Sequence, residues 1–328
     1  MVTINDIAKM AEVSKSTVSR YLNGGSVSKK TKEKIDIIIK ETNYVPNRFA
    51  QSLKHKNTNL IGMIVPRLNS YASNEILLSV DEELRKLDYQ LIITNTNQNM
   101  EREIENIYSL ARQKVAGIIL LATVITDEHK EAIKKIKIPV IILGQKSDVA
   151  YSIIHDDIHA GKAIGEHVVG LGHKDILYLG VKKSDEAVGI KRRKGILMGL
   201  EKGKDLNITE VEVDFDYDIA YKFLKDYLKR SSASYIICST DNIALAAYKA
   251  IITLGKKIPE DVSVSGFGGY AITDIVTPAI TTVRYPYTEM GKLAVKNLLK
   301  IIKGENLPKF TTLNNKFIEK ASTKKINS

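Results

Sequence analysis

Lys15, Ser16, Thr17 and Arg20 stand within six positions of one another in the stretch TINDIAKMAEVSKSTVSRYLN at 3–23. Lysine and arginine only donate hydrogen bonds, whereas serine and threonine hydroxyls donate and accept. Presented from one helix, such groups reach base edges and phosphates in the major groove of duplex DNA. A second cluster, HDDIH at 155–159, sets His155 and His159 around Asp156 and Asp157. Two histidines four apart on a helix share a face, as zinc ligands do. Here His155 falls before the expected helix, so the spacing rule fails and both histidines read as solvent-exposed or cleft-lining. No metal site is expected. The chain has no GxxxxGK[ST] loop, and Gly180-Val181-Lys182-Lys183-Ser184 lacks its spacing. Gly266-Phe267-Gly268-Gly269 is not GxGxxG and reads as a tight turn at a strand's end. No nucleophile is paired with a base. Neither catalytic residues nor a cofactor are expected, and the chain is not read as an enzyme.

The groups at 15–20 need two helices to hold them. Ile7, Ala8, Ala11, Val18 and Leu22 supply an apolar face at helical spacing, divided by a turn at Glu12-Val13-Ser14. Ser14 is a natural cap for a helix beginning at Lys15. Ser28 caps a third helix that buries Ile35, Ile38 and Ile39 and is ended by Tyr44-Val45-Pro46. Asn47 to Leu53 is long enough for about two helical turns, too few to be stable without a partner. A polar linker, KHKNTN, follows at 54–59.

Charge singles out the same region. Residues 1–57 hold eleven cations and five anions, a surplus of six, while the whole 328-residue chain carries +11. Concentrated positive charge of this kind is an electrostatic footprint for phosphate. A membrane surface would attract it too, but the segment lacks the broad apolar face such a helix needs. The start MVTINDIAKM has no apolar core of a signal peptide, and no run nears the roughly 18 apolar residues that span a bilayer. A cytoplasmic protein is expected. The single cysteine, Cys238, reads as a buried core residue.

Beyond the linker, short apolar runs recur at 60–65, 90–94, 115–121, 139–143, 175–179, 235–238 and 262–267. Helical patterns at 76–87, 101–113, 159–171 and 242–254 lie between them. Alternating buried strands and helices imply parallel sheets covered on both faces. Two such sets suggest two sheets facing each other across a cleft, with ligand at the carboxyl ends of the strands.

Several motifs in order carry a family resemblance: TINDIAKMAEVSKSTVSRYLN, VSKKTKEKI, NYVPNRFAQSL, LIGMIVP, LGHKDILYLG at 171–180, STDNIALAAYKAI at 239–251, VSVSGFGGY at 262–270 and PAITTVRYPYTEMGKLAV at 278–295. Together they span the chain and resemble the lactose-repressor family of bacterial transcription regulators. The resemblance implies a small all-α helix-turn-helix domain at 1–57, with a hinge helix at about 47–54, and a two-lobed α/β domain like that of periplasmic binding proteins at 58–328. It divides the latter into an N-lobe, about 58–156 plus 287–316, and a C-lobe, about 157–286 plus 317–328. The implied partners are double-stranded palindromic operator DNA, a small sugar or sugar-phosphate effector, and a second copy of the chain. The tail after Phe317 has no leucine heptads, so a dimer is expected and nothing supports a tetramerising helix.

The resemblance also implies site residues. Lys15, Ser16 and Arg20 match positions that read bases. Ser14, Thr17, Asn23 and Asn47 match positions that contact phosphates and fix register. Leu53 matches an apolar wedge that family dimers insert into the minor groove. Glu12 stands where glycine is common, at a cost of about 1 kcal/mol if that turn needs a positive φ. For the effector, the matching positions are Asp156, Arg192, Phe215 and Asp241, where Asp241 also reads as a helix cap. The GFGGY variant resembles sucrose- and fructose-responsive members, while Arg67 and the 191–194 cluster would suit a sugar phosphate. Other readings are a sugar-binding receptor without DNA function, a sugar-converting enzyme, and a regulator that uses a phosphoprotein corepressor.

Overall fold

A computed structural model describes residues 2–22, 24–44 and 58–326. The chain forms two compact units, Met1–Thr58 and Asn59–Ser328.

The first unit contains helices α1 (Ile4–Met10), α2 (Lys15–Leu22) and α3 (Lys29–Thr42). Thr3 starts α1 with a capping box: Asp6 N donates to its hydroxyl and its own N–H donates to the Asp6 carboxylate. Ile7, Ala8, Ala11, Val18 and Ile35 are buried together, with Ile38 and Ile39 partly buried beside them. This small core holds the three helices. Helix α3 stops earlier than its proline requires, because Asn43 takes a left-handed conformation at φ 48° and closes the last turn.

The second unit contains twelve strands among the described residues. Those of the first lobe are β1 (Leu60–Val65), β2 (Gln90–Asn95), β3 (Gly117–Leu121), β4 (Val140–Leu143) and β5 (Tyr151–His155). The second lobe follows with β6 (Asp175–Gly180), β7 (Asn207–Glu212), β8 (Tyr235–Cys238), β9 (Ser263–Gly268) and β10 (Thr281–Arg284). Then β11 (Phe310–Leu313) returns to the first sheet and β12 (Lys316–Ile318) to the second. The sheet orders are β11-β5-β4-β3-β1-β2 and β12-β10-β9-β8-β6-β7. Every pairing is parallel except that of β12 with β10, so the second sheet has one antiparallel edge strand where only parallel ones were expected. The strands without an apolar run in the sequence are short or lie at edges. β7, for example, reads NITEVE and is half exposed, as an edge with one wet face should be.

Helices α4 (Tyr71–Lys86), α5 (Met100–Arg112), α6 (Asp127–Ile136) and α7 (Asp157–Gly170) follow the early strands. They are joined later by α8 (Arg193–Leu200), α9 (Tyr217–Tyr227), α10 (Asp241–Thr253), α11 (Ile272–Ile275) and α12 (Tyr287–Ile302). Each sheet is covered on two faces by separate apolar clusters. Cys238 is buried in one of them, as expected. No helix of the described residues is long and apolar enough to cross a membrane.

Candidate DNA-contact face and effector cavity

In the first unit, Ser14 Oγ accepts from Thr17 N at 3.2 Å and also bonds Ser16 Oγ and Thr17 Oγ1, capping α2. Ser14, Lys15, Ser16 and Arg20 are exposed, Thr17 is half-buried, and Val18 is fully buried. Helix α2 thus shows the solvent five of the side chains singled out in the sequence. The turn before it does need a positive φ: Glu12 sits at 54°, and its carboxylate is held by Lys34 Nζ at 2.6 Å. Asn23, Asn47 and Leu53 lie outside the described residues.

The second unit contains a cavity of about 490 Å³ whose walls come from both lobes. Arg192 is its central cation. Nε and Nη2 donate to Asp157 Oδ1 at 3.0 and 2.6 Å, and Nη1 donates to the Ser239 carbonyl at 2.6 Å. Tyr285 OH donates to the same Asp157 oxygen at 2.9 Å. Both members of the pair are buried, and the guanidinium also lies 5.0 Å from the ring centres of Phe267 and Tyr285. Two features of the sequence bring Arg192 there. A π-helical segment at Glu186–Arg192 leads into α8, the kind of bulge that often marks functional sites. Glycines at 161, 165, 195 and 199 then let α7 and α8 touch backbone to backbone. A Cβ at Gly161 would lie 2.2 Å from the Arg192 carbonyl, and one at Gly195 would lie 2.1 Å from that of Ile158.

The four effector residues read from the sequence divide evenly. Arg192 and Phe215 line the cavity; Asp156 and Asp241 do not. Asp156 spends its carboxylate capping α7, accepting from His159 N at 3.0 Å, and the neighbouring Asp157 faces Arg192 instead. Asp241 is fully buried behind the wall, accepting from Thr282 Oγ1 at 2.6 Å and Tyr270 N at 2.8 Å. Nor is it the helix cap, since Thr240 performs that task with Ile243 N. Its neighbours Thr240 and Asn242 reach the cavity, and Asn242 Nδ2 fixes Phe215 through the carbonyl at 2.7 Å. Burial pushes the Asp241 carboxyl up to about 6. The glycines of GFGGY make room for this carboxylate: a Cβ at Gly266 would stand 2.4 Å from Asp241 Oδ1.

His155 and His159 share no helix, because the first ends β5 and the second is an exposed residue of α7. Among the described residues no three metal-ligating side chains cluster. His155 lines the cavity with both ring nitrogens buried, and burial lowers its pKa to about 4. A depressed histidine gives stability that is complete above the ordinary value of 6.5 and is lost as pH falls toward 4, because only the unfolded chain takes up the proton. His155→Phe is therefore expected to unfold at lower pH with less loss than the parent, by about 2 kcal/mol at pH 5. Asp241 contributes a slope of opposite sign in both proteins and cancels in the difference. Urea midpoints at pH 7.5 and 5 measure it, and equal losses in the two proteins would contradict it.

Known proteins match both units. The sequence profile described as "Bacterial regulatory proteins, lacI family" covers residues 3–47. That of "Periplasmic binding proteins and sugar binding domain of LacI family" covers residues 58–323. A sucrose operon repressor of Staphylococcus xylosus is 43% identical over 306 residues, 92% of this chain and 94% of that protein. A ribose operon repressor of Haemophilus influenzae is 32% identical over 316 residues, 93% of each chain. The crystal structure of the lac repressor dimer bound to operator and the anti-inducer ONPF superimposes with a TM-score of 0.89 at 25% identity, covering 98% of this chain and 99% of that one. With a helix-turn-helix at one end, a two-lobed sugar-binding fold behind it and relatives matched over nearly their whole length, the chain belongs to the LacI family of bacterial transcription regulators.

Proposed function

We propose that this protein is a homodimeric cytoplasmic repressor of a sugar-utilisation operon, released from a palindromic operator by an uncharged sugar of the sucrose or fructose type. The observation that carries the reading is the cavity beneath both lobes, where a buried Arg192–Asp157 pair and Phe215 offer polar and aromatic faces to one small ligand. Paired charged groups suit polyols, because carboxylates accept from hydroxyls and guanidinium donates to them. The walls carry Arg67 and Arg192 against Asp157, Asp185 and Asp216. That balance disfavours a phosphate. The sucrose operon repressor at 43% identity supports the sugar class.

On the DNA side, Lys15, Ser16 and Arg20 read bases, while Ser14, Thr17, Asn23 and Asn47 hold phosphates and Leu53 enters the minor groove at the operator centre. Exposure of the α2 side chains supports the first part of this assignment. Lys15→Ala is expected to cost about 1–3 kcal/mol at one half-site position and to relax base preference there. Binding of a panel of single-base operator variants measures it. A uniform loss across the panel would assign Lys15 to the backbone instead.

A further inference from the structure

The first lobe's side of the cavity contains polar atoms that the protein leaves unpaired. Arg67 and Gln145 follow strands β1 and β4, and His155 ends β5, so all three stand at carboxyl ends of parallel strands, where open α/β sheets bind ligands. Arg67 Nε, Gln145 Oε1 and both ring nitrogens of His155 are buried, and none has a hydrogen-bond partner. The remainder of each side chain is anchored. The Arg67 guanidinium lies 4.5 Å from the centre of the Phe215 ring. Gln145 Nε2 donates to the Thr123 carbonyl at 2.8 Å. The His155 ring packs edge-on against Tyr285 and Tyr287, at 4.9 and 5.7 Å between centres.

Folded proteins leave few buried polar groups unpaired, and each one is costly. Four such atoms on one side of one cavity call for a partner from outside the chain. Their chemistry says which. Arg67 Nε–H donates, Gln145 Oε1 accepts, and a neutral imidazole offers one donor and one acceptor. Burial keeps that imidazole neutral. A hydroxyl both donates and accepts, so a run of hydroxyls answers all three residues. A phosphate or carboxylate only accepts and would meet the Gln145 oxygen lone pair to lone pair.

We propose that Arg67, Gln145 and His155 form a hydroxyl-binding set on the first lobe, so that an uncharged polyol is held from both lobes at once. This rests on the reading of the cavity as a sugar site. The test is calorimetric titration of the full chain with sucrose, D-fructose and fructose 6-phosphate, followed by deoxy analogues of the sugar that binds. His155→Phe, which keeps a ring, and Gln145→Met, which keeps the length, should each weaken that sugar by about ten- to a hundred-fold. For each variant one deoxy analogue should bind the parent protein about as weakly as the variant does, and binding of that analogue should lose nothing further on substitution. A structural role would lower every analogue by one factor and overturn the proposal, as would affinities within twofold of the parent. Tighter binding of fructose 6-phosphate than of either neutral sugar would overturn the ligand class. If the parent binds none of the three compounds, the sugar reading itself falls and this proposal with it.

Discussion

Asp157→Ala is expected to cost the folded protein about 3–5 kcal/mol, because it leaves the buried guanidinium of Arg192 without its counter-ion. Two of the three Arg192 hydrogen bonds given by the geometry end on Asp157 Oδ1, and Tyr285 OH loses the same acceptor. Water cannot compensate, since Arg192 is only 7% exposed. The reverse side of the argument is equally testable. Replacing both partners by apolar residues, Asp157→Leu with Arg192→Met, removes the stranded charge and should restore much of the loss, as buried ion pairs seldom exceed their desolvation cost. Urea denaturation of the two single variants and the double variant completes the cycle. A loss below about 1 kcal/mol for Asp157→Ala would show that the pair is far better solvated than its surroundings imply.

The helix-turn-helix was legible because each of its determinants is local. Ser14 caps three residues ahead, Val18 and Ile7 repeat at helical spacing, and the positive φ at Glu12 is a turn property. The fold class was legible for a similar reason, since buried strands such as 60–65 and 235–238 are nearly uninterrupted apolar runs. Edge strands were not, because β7 keeps one wet face and β12 spans only three residues.

The effector site shows where local reading stops. Asp156 and Asp157 are adjacent and chemically alike; only the start of α7 decides that the first caps and the second pairs. Asp241 looks available in sequence, yet its partners lie 29 and 41 residues away and draw its carboxylate behind the wall. One signal was present and unused. Gly161, Gly165, Gly195 and Gly199 repeat at four-residue spacing in two segments, and that pattern marks the close helix contact that delivers Arg192 to Asp157.

Operator affinity is expected to fall steeply with salt, by about 10³–10⁵ between 50 and 200 mM if the dimer neutralises six to ten phosphates. Sugar should weaken it further through the cavity. An effector that discriminates two lobe arrangements usually supplies about 1–3 kcal/mol of coupling, or 5- to 150-fold, and the coupling is reciprocal. A ligand that binds both arrangements equally shifts nothing, however tightly it binds. The account therefore stands on one titration: full-length chain against a palindromic duplex selected on it, with and without saturating sugar, paired with a titration of sugar against the free and operator-bound protein. The expected result is that sugar weakens operator binding at least fivefold and operator weakens sugar binding by the same factor. Sugar that occupies the cavity while operator affinity stays unchanged would contradict it.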